Sequence, residues 1–178
     1  MRSLKIFVLI VIITTGFLAT LTLFLPSKVT VSKSILIEAT GPGVESEIEN
    51  FENWKKWYPA FQNRNIAIVI SKRGDSSLAT LTDENQREFS MALVKPGPER
   101  IDIFLFEGNK KNVTYQFILS ATRTGQTQLT WNINTSFPWY PWEKIRGIFL
   151  DKITGPQYQE ILQNLKVAVE SHQAGAPG

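Results

Sequence analysis

The sequence predicts an α+β fold. A strongly curved antiparallel sheet of about seven strands grips one long C-terminal helix, two short helices follow the first strand, and an apolar helix stands at the N-terminus. Three observations carry this expectation. From Asn65 onward apolar residues recur with a period of two between short turn sequences, the pattern of consecutive antiparallel strands. Tyr158, Ile161, Leu162, Leu165 and Val169 then fall at 0, 3, 4, 7 and 11, a single helical stripe. That stripe needs a partner and one sheet face needs cover, so a sheet curved around the helix satisfies both.

Each element follows in order. Arg2 and Lys5 precede 20 uncharged residues, Ile6 to Leu25, which Pro26 closes. As a helix this run is about 30 Å long, the thickness of a bilayer's hydrocarbon core. It is longer than a secretory signal's apolar region and lacks a small-residue cleavage site. Residues 1–28 are therefore expected to be an uncleaved, single-pass membrane anchor. The basic N-terminal flank favours an inside N-terminus, which places the following domain, residues 29–172, outside the cytoplasm. Residues 173–178 are expected to be a disordered tail.

"VTVSKSILI", Val29 to Ile37, is β-branched and reads as the first strand. Gly41-Pro42-Gly43 makes a turn, after which Val44, Ile48 and Phe51 share a helical face that starts late. Asn53 is placed to cap a second short helix carrying Trp54 and Trp57, which Pro59 ends. Six strands follow: Ile66 to Ile70, "SSLATLT", "REFSMALV", "RIDIFLF", Val113 to Ala121 and Gln128 to Asn134. The intervening turns fall at Gly74-Asp75, Pro96-Gly97-Pro98, Lys110 to Asn112 and Thr124-Gly125. Lys144 to Lys152 is expected to form a short helix that Gly155 breaks, with Pro156 opening the last one.

Composition narrows the chemistry. There is no cysteine, so disulfides, thiolate metal sites and a cysteine nucleophile are excluded. The single histidine, His172, makes a zinc site or a Ser-His-Asp triad untenable. No metal or other cofactor is expected. The net charge of +3 is spread over scattered pairs, so no nucleic-acid partner is expected either. Oligomeric state is left open.

Two segments carry a resemblance. "SKSILIEATGPGVESEIENFENWKKWYP" resembles the opening strand, turn and paired helices of the START-like (SRPBCC, polyketide cyclase/dehydrase-like) superfamily. "IRGIFLDKITGPQYQEILQNLKVAVE" is similar to its closing segment. The resemblance covers about residues 29 to 170 and implies the helix-grip fold, often with a cavity between sheet and C-terminal helix. It implies a domain that binds a hydrophobic small molecule or lipid, with a cyclase-like enzyme or an interaction module with a filled cavity as alternatives. The cavity candidates are Trp54, Trp57, Phe89, Met91, Tyr115, Phe117, Trp131, Ile133, Trp139, Trp142, Tyr158 and Leu162. No catalytic residue is assigned: Arg87, Arg100 and Arg123 lie near turns, and nothing pairs Glu38, Asp102 and Glu107 by spacing.

The stretch "FPWYPW", Phe137 to Trp142, admits three roles: a rigid plug at one end of the sheet, a cavity gate, or a membrane-interface contact. Its two prolines favour the plug with partial gating.

Overall fold

A computed structural model describes residues 2–73, 76–108, 110–138 and 140–174. Helix α1 (Arg2–Phe24) leads into β1 (Lys28–Ile37). Three short helices follow: α2 (Gly41–Glu49), α3 (Trp54–Trp57) and α4 (Pro59–Gln62). Strands β2 (Ala67–Arg73), β3 (Ser76–Thr82), β4 (Glu88–Gly97), β5 (Arg100–Glu107), β6 (Lys110–Ala121) and β7 (Thr127–Ser136) form the meander. Helices α5 (Pro141–Ile148) and α6 (Leu150–Ala174) close the chain. The sheet has seven antiparallel strands in the order β1-β7-β6-β5-β4-β3-β2.

Its two faces follow the alternation in the sequence. Val31, Leu129, Trp131, Ile133, Tyr115, Phe117, Ile101, Ile103, Met91 and Ala79 are buried on one face. On the other, Thr30 donates to Asn134 (2.7 Å), Ser32 donates to Asn132 (2.7 Å), and Ser34 bonds Thr130 (3.0 Å). The asparagines of β7 thus belong to a solvent-side ladder of cross-strand pairs.

Helix α6 packs on the β1 side of the sheet with Ile161, Leu162, Leu165, Ala168 and Val169 buried. Two polar ties fix its register. Lys33 meets Asp151 at 2.9 Å, and the Glu38 backbone N–H donates to Glu170 at 2.8 Å.

Several expectations need correction. Helix α2 begins at Gly41 rather than late, because Pro42 suits a first helical turn, where its missing N–H costs nothing. Asn53 makes no side-chain cap to α3. Its backbone is helical, and its side chain donates instead to Glu47 at 3.1 Å. Pro59 not only ends α3 but opens α4. Strand β4 runs on to Gly97, and β6 resumes at Lys110 after Gly108 takes φ +57°. The expected turn at Gly74-Asp75 lies outside the described residues.

The closing helices also break elsewhere than expected. The interruption is at Phe149 (φ −92°, ψ 2°), and α6 runs through both Gly155 and Pro156. Gly155 is a packing device rather than a breaker: a Cβ there would lie 2.6 Å from Asp151 Oδ1 and 3.0 Å from Lys33 Nζ. Helix α6 reaches Ala174, so His172, expected at the edge of the tail, is helical.

The described side chains of α1 from Leu4 to Phe17 are exposed throughout. Among the described residues no helix is long and apolar enough to cross a membrane. The expected anchor over residues 1–28 is therefore not shown.

Candidate functional site

A cavity of about 380 Å³ lies between α4 and strands β3 to β6. Its walls are Ala60, Ile66, Leu81, Phe89, Met91, Leu105 and Val113, with Tyr58 also facing it. Asp83, Ser90, Phe106, Glu107 and Asn112 complete its lining. Strand register explains the assembly: Leu81 pairs with Phe89, Met91 with Leu105, and Leu105 with Val113. One row of inward-facing residues across four strands therefore forms the floor. Helix α4 supplies the roof because Pro59 redirects the chain there.

Tyr58 forms a hydrogen bond with the Tyr115 hydroxyl at 2.9 Å, joining the cavity wall to the packed core behind it. Burial pushes the Tyr58 hydroxyl up to about 12, against the lowering effect of the Tyr115 bond. Burial also holds Tyr115 well above the usual tyrosine value, reinforced by the neighbouring Tyr58 and Tyr158 hydroxyls. Tyr158 is raised by burial as well, opposed by its hydrogen bond with Thr154. Both members of the Tyr58–Tyr115 pair are thus held neutral around pH 7.

This has a testable consequence at high pH. Unfolded Tyr58 ionises near its ordinary value of 10.0, while folded Tyr58 waits until about 12. Between those values the unfolded state binds fewer protons, so stability is intact below pH 10 and falls as pH rises toward 12. Denaturant titrations from about pH 9 to 11 should show that fall, and Tyr58→Phe should reduce its slope. Identical slopes in the two proteins would contradict the assignment.

At the rim, Asp83 accepts from the Arg87 backbone N–H (2.9 Å), from the Asn85 N–H (2.9 Å) and from Arg87 Nε (2.7 Å). The Arg87 N–H is the largest of the effects that hold its carboxyl below the usual carboxylate range.

The twelve sequence candidates divide sharply. Phe89 and Met91 line the cavity. Trp54, Trp57, Phe117, Trp131, Ile133 and Leu162 are fully buried in solid packing. Trp54 and Trp57 lie 4.5 Å apart, and Trp131 stacks on Phe117 at 5.2 Å. Tyr115 touches the cavity only through Tyr58, and Tyr158 meets Trp131 edge-on at 5.2 Å. The expected place of the cavity, between sheet and C-terminal helix, is therefore corrected. No α6 residue is among its lining, because these large rings fill the space beneath that helix.

Trp142 is 64% exposed, which removes it from both the core and the cavity and overturns the plug reading for this residue. Trp139 lies outside the described residues. The basic residues stay outside the cavity as well: Arg100 forks onto Asp102 (2.9 and 2.7 Å), and Arg123 is exposed in the β6–β7 turn.

Sequence reasoning favoured large aromatics and so missed Ile66, Leu81, Leu105, Val113 and Tyr58. The signal available was positional: the inward residues at one sheet end, late in β3 and β5 and early in β4 and β6, plus the residue before Pro59.

A second polar cluster ties the helices together. Glu47, 2% exposed, receives Asn53 and stands 3.8 Å from Lys56 Nζ and 3.4 Å from His172 Nδ1. His172 Nε2 and Lys56 Nζ are 2.9 Å apart. The lone histidine thus belongs to a contact between the end of α6 and helices α2 and α3. Among the described residues no group of histidine, aspartate and glutamate side chains is arranged to hold a metal ion.

No protein-family profile matches the chain, and no curated protein matches it by sequence. Solved structures do. An aromatase/cyclase from a Streptomyces species has a TM-score of 0.62 at 11% identity, covering 84% of this chain and 99% of that one. A START superfamily protein from Mycobacterium smegmatis gives 0.58 at 20% identity, covering 80% and 97%. A protein of unknown function from Staphylococcus aureus gives 0.61 at 12%, covering 83% and 96%. At these identities the likeness establishes a shared helix-grip fold and leaves the chemistry of each protein its own.

Proposed function

We propose that this protein is a membrane-anchored START-like domain that binds one hydrophobic small molecule or lipid. The observation that carries the reading is the apolar cavity of about 380 Å³, within the roughly 300–1,000 Å³ usual for small-molecule sites. Its walls are aliphatic and aromatic, and its few polar groups sit as a specificity site would place them, at Tyr58 and along the Asp83–Glu107–Asn112 side. The ligand would lie with its apolar body against Leu81, Met91, Leu105 and Val113.

The anchor is α1. The 20-residue uncharged run and the outward-facing side chains from Leu4 to Phe17 support it, because nothing among the described residues covers them. The domain from β1 onward then sits outside the cytoplasm, tethered at Lys28.

A cyclase-like enzyme is the second reading, favoured by the titratable groups Tyr58, Asp83 and Glu107 on one cavity and by the aromatase/cyclase neighbours. The electrostatics weigh against it. Tyr58 at about 12 is a poor proton donor near neutrality. Asp83, lowered and engaged by Arg87, is a weak base. The binding role therefore takes precedence. Titrating the detergent-solubilised full chain with a fluorescent fatty acid tests it. Saturation at one probe per chain, reversed by unlabelled hydrophobic competitors, is expected; non-saturating partition alone would overturn the reading.

A further inference from the structure

Helix α5 and the start of α6 expose a cluster of large apolar residues: Trp142, Ile145, Ile148, Phe149 and Ile153. Trp142, Ile145 and Phe149 are spaced three and four apart, so they share one side of α5 and its C-cap, and Ile153 follows in the first turn of α6. Tyr140 and Trp142 stack at 5.3 Å with rings nearly parallel, 9° apart. The opposite side is anchored inward. Lys144 is buried and donates to the Leu25 carbonyl at 3.1 Å, and Gly147 is buried against the Phe137 ring. The Phe137 N–H in turn donates to the Ser27 carbonyl at 2.8 Å. Helix α5 is thus fastened to the point where the chain leaves α1, and its apolar side faces solvent beside that exit.

We infer that this side of α5 and the start of α6 lies in the headgroup–acyl boundary of a lipid bilayer, and that the cavity consequently draws its ligand from that bilayer. This rests on the reading of α1 as the anchor. If α1 enters the membrane, α5 is held within bonding distance of the surface, and stacked Trp and Tyr suit a layer that is apolar on one side and wet on the other. Exposed Lys28, Arg146 and Lys152 flank the patch and suit anionic headgroups, while Asp151 is engaged by Lys33.

Strand register connects the surface to the cavity. Lys28 pairs with Ser136, Thr135 with Val113, Val113 with Leu105, Glu107 with Phe89, and Glu88 with Thr82. These residues mark one end of the sheet. The chain leaves α1 at that end, and Val113, Leu105, Glu107, Phe89 and Leu81 of the cavity lie along it. The Thr124-Gly125 turn is at the opposite end, far from the patch. A domain resting on α5 therefore presents its cavity end to the lipid.

The absence of cysteine makes the test direct. Single nitroxide labels are placed on the full chain in vesicles of phosphatidylcholine and phosphatidylglycerol through Ile145→Cys, Ile153→Cys, Leu9→Cys and Thr124→Cys. Labels at 145 and 153 should be relaxed by oxygen and shielded from a water-soluble nickel complex, with the reverse at 124. Labels at 145 and 153 that behave like 124, or that are shielded from both reagents as by a protein partner or second copy, would overturn the inference. The label at 9 reports separately on the anchor: an aqueous result there sinks the anchor reading, while lipid immersion at 145 and 153 would still uphold the docking surface. For the ligand source, the double variant Ile145→Asp/Ile153→Asp should slow uptake of a fluorescent fatty acid from vesicles about tenfold or more, yet leave uptake from solution unchanged. Equal vesicle uptake by the variant and the wild type would overturn the bilayer as source.

Discussion

Leu162→Asp is expected to abolish cooperative folding of the domain. Leu162 is fully buried at the centre of the α6 stripe, between Ile161 and Leu165, where the helix meets the sheet. Removing a buried leucine side chain costs about 2–5 kcal/mol. Leaving an unpaired carboxylate in its place adds several more, because water is lost without a partner to replace it. The sum rivals the ~5–15 kcal/mol that holds an ordinary domain together. Val167→Asp is the matched control: the same helix and the same charge, at an exposed position. It should change stability by no more than about 0.5 kcal/mol. Near-ultraviolet circular dichroism with thermal melting reads both. A wild-type melting temperature for Leu162→Asp would show that α6 does not close the core.

Val113→Trp is expected to do the opposite, removing binding and sparing the fold. Val113 is half-buried on β6 and borders the cavity opposite Leu105. An indole suits a strand position and would extend into empty space rather than into packed neighbours. The cost in stability should stay below about 1.5 kcal/mol, since overpacking requires that the space be already filled. Affinity for a fluorescent fatty acid should fall about tenfold or more, equivalent to roughly 1.4 kcal/mol or beyond. An unchanged affinity would remove Val113 from the site; a collapsed melting temperature would show that no cavity lies beside it.

The contrast between these two positions shows what was legible in the sequence. Leu162 belongs to a periodic stripe, and periodicity reports burial against a neighbouring layer directly. The β7 alternation of Leu129, Trp131 and Ile133 against Asn132 and Asn134 was readable for the same reason. Val113 is one more inward residue of one more strand, and nothing local says that its neighbours fall short of touching it. Large aromatics were the natural guess for a pocket, yet Trp54, Trp57, Phe117 and Trp131 fill volume so well that they close the space they occupy.

Long-range partners explain the other discrepancies. Tyr58 meets Tyr115 57 residues away, and Gly155 stands where Lys33 of β1 and Asp151 come too close to leave room for a Cβ. No local rule announces either contact. Trp142 was expected to be part of a plug with partial gating, but α5 turns its buried side, Lys144 and Gly147, toward the α1 exit and leaves the indole outside.

Native mass spectrometry of the detergent-extracted full chain, wild type beside Val113→Trp, tests the central claim most directly. The account predicts one retained hydrophobic molecule per wild-type chain, released on activation, and the bare chain mass for the variant. Bare chains in both, or the same adduct retained in both, would contradict a ligand held in the cavity of Leu81, Met91, Leu105 and Val113.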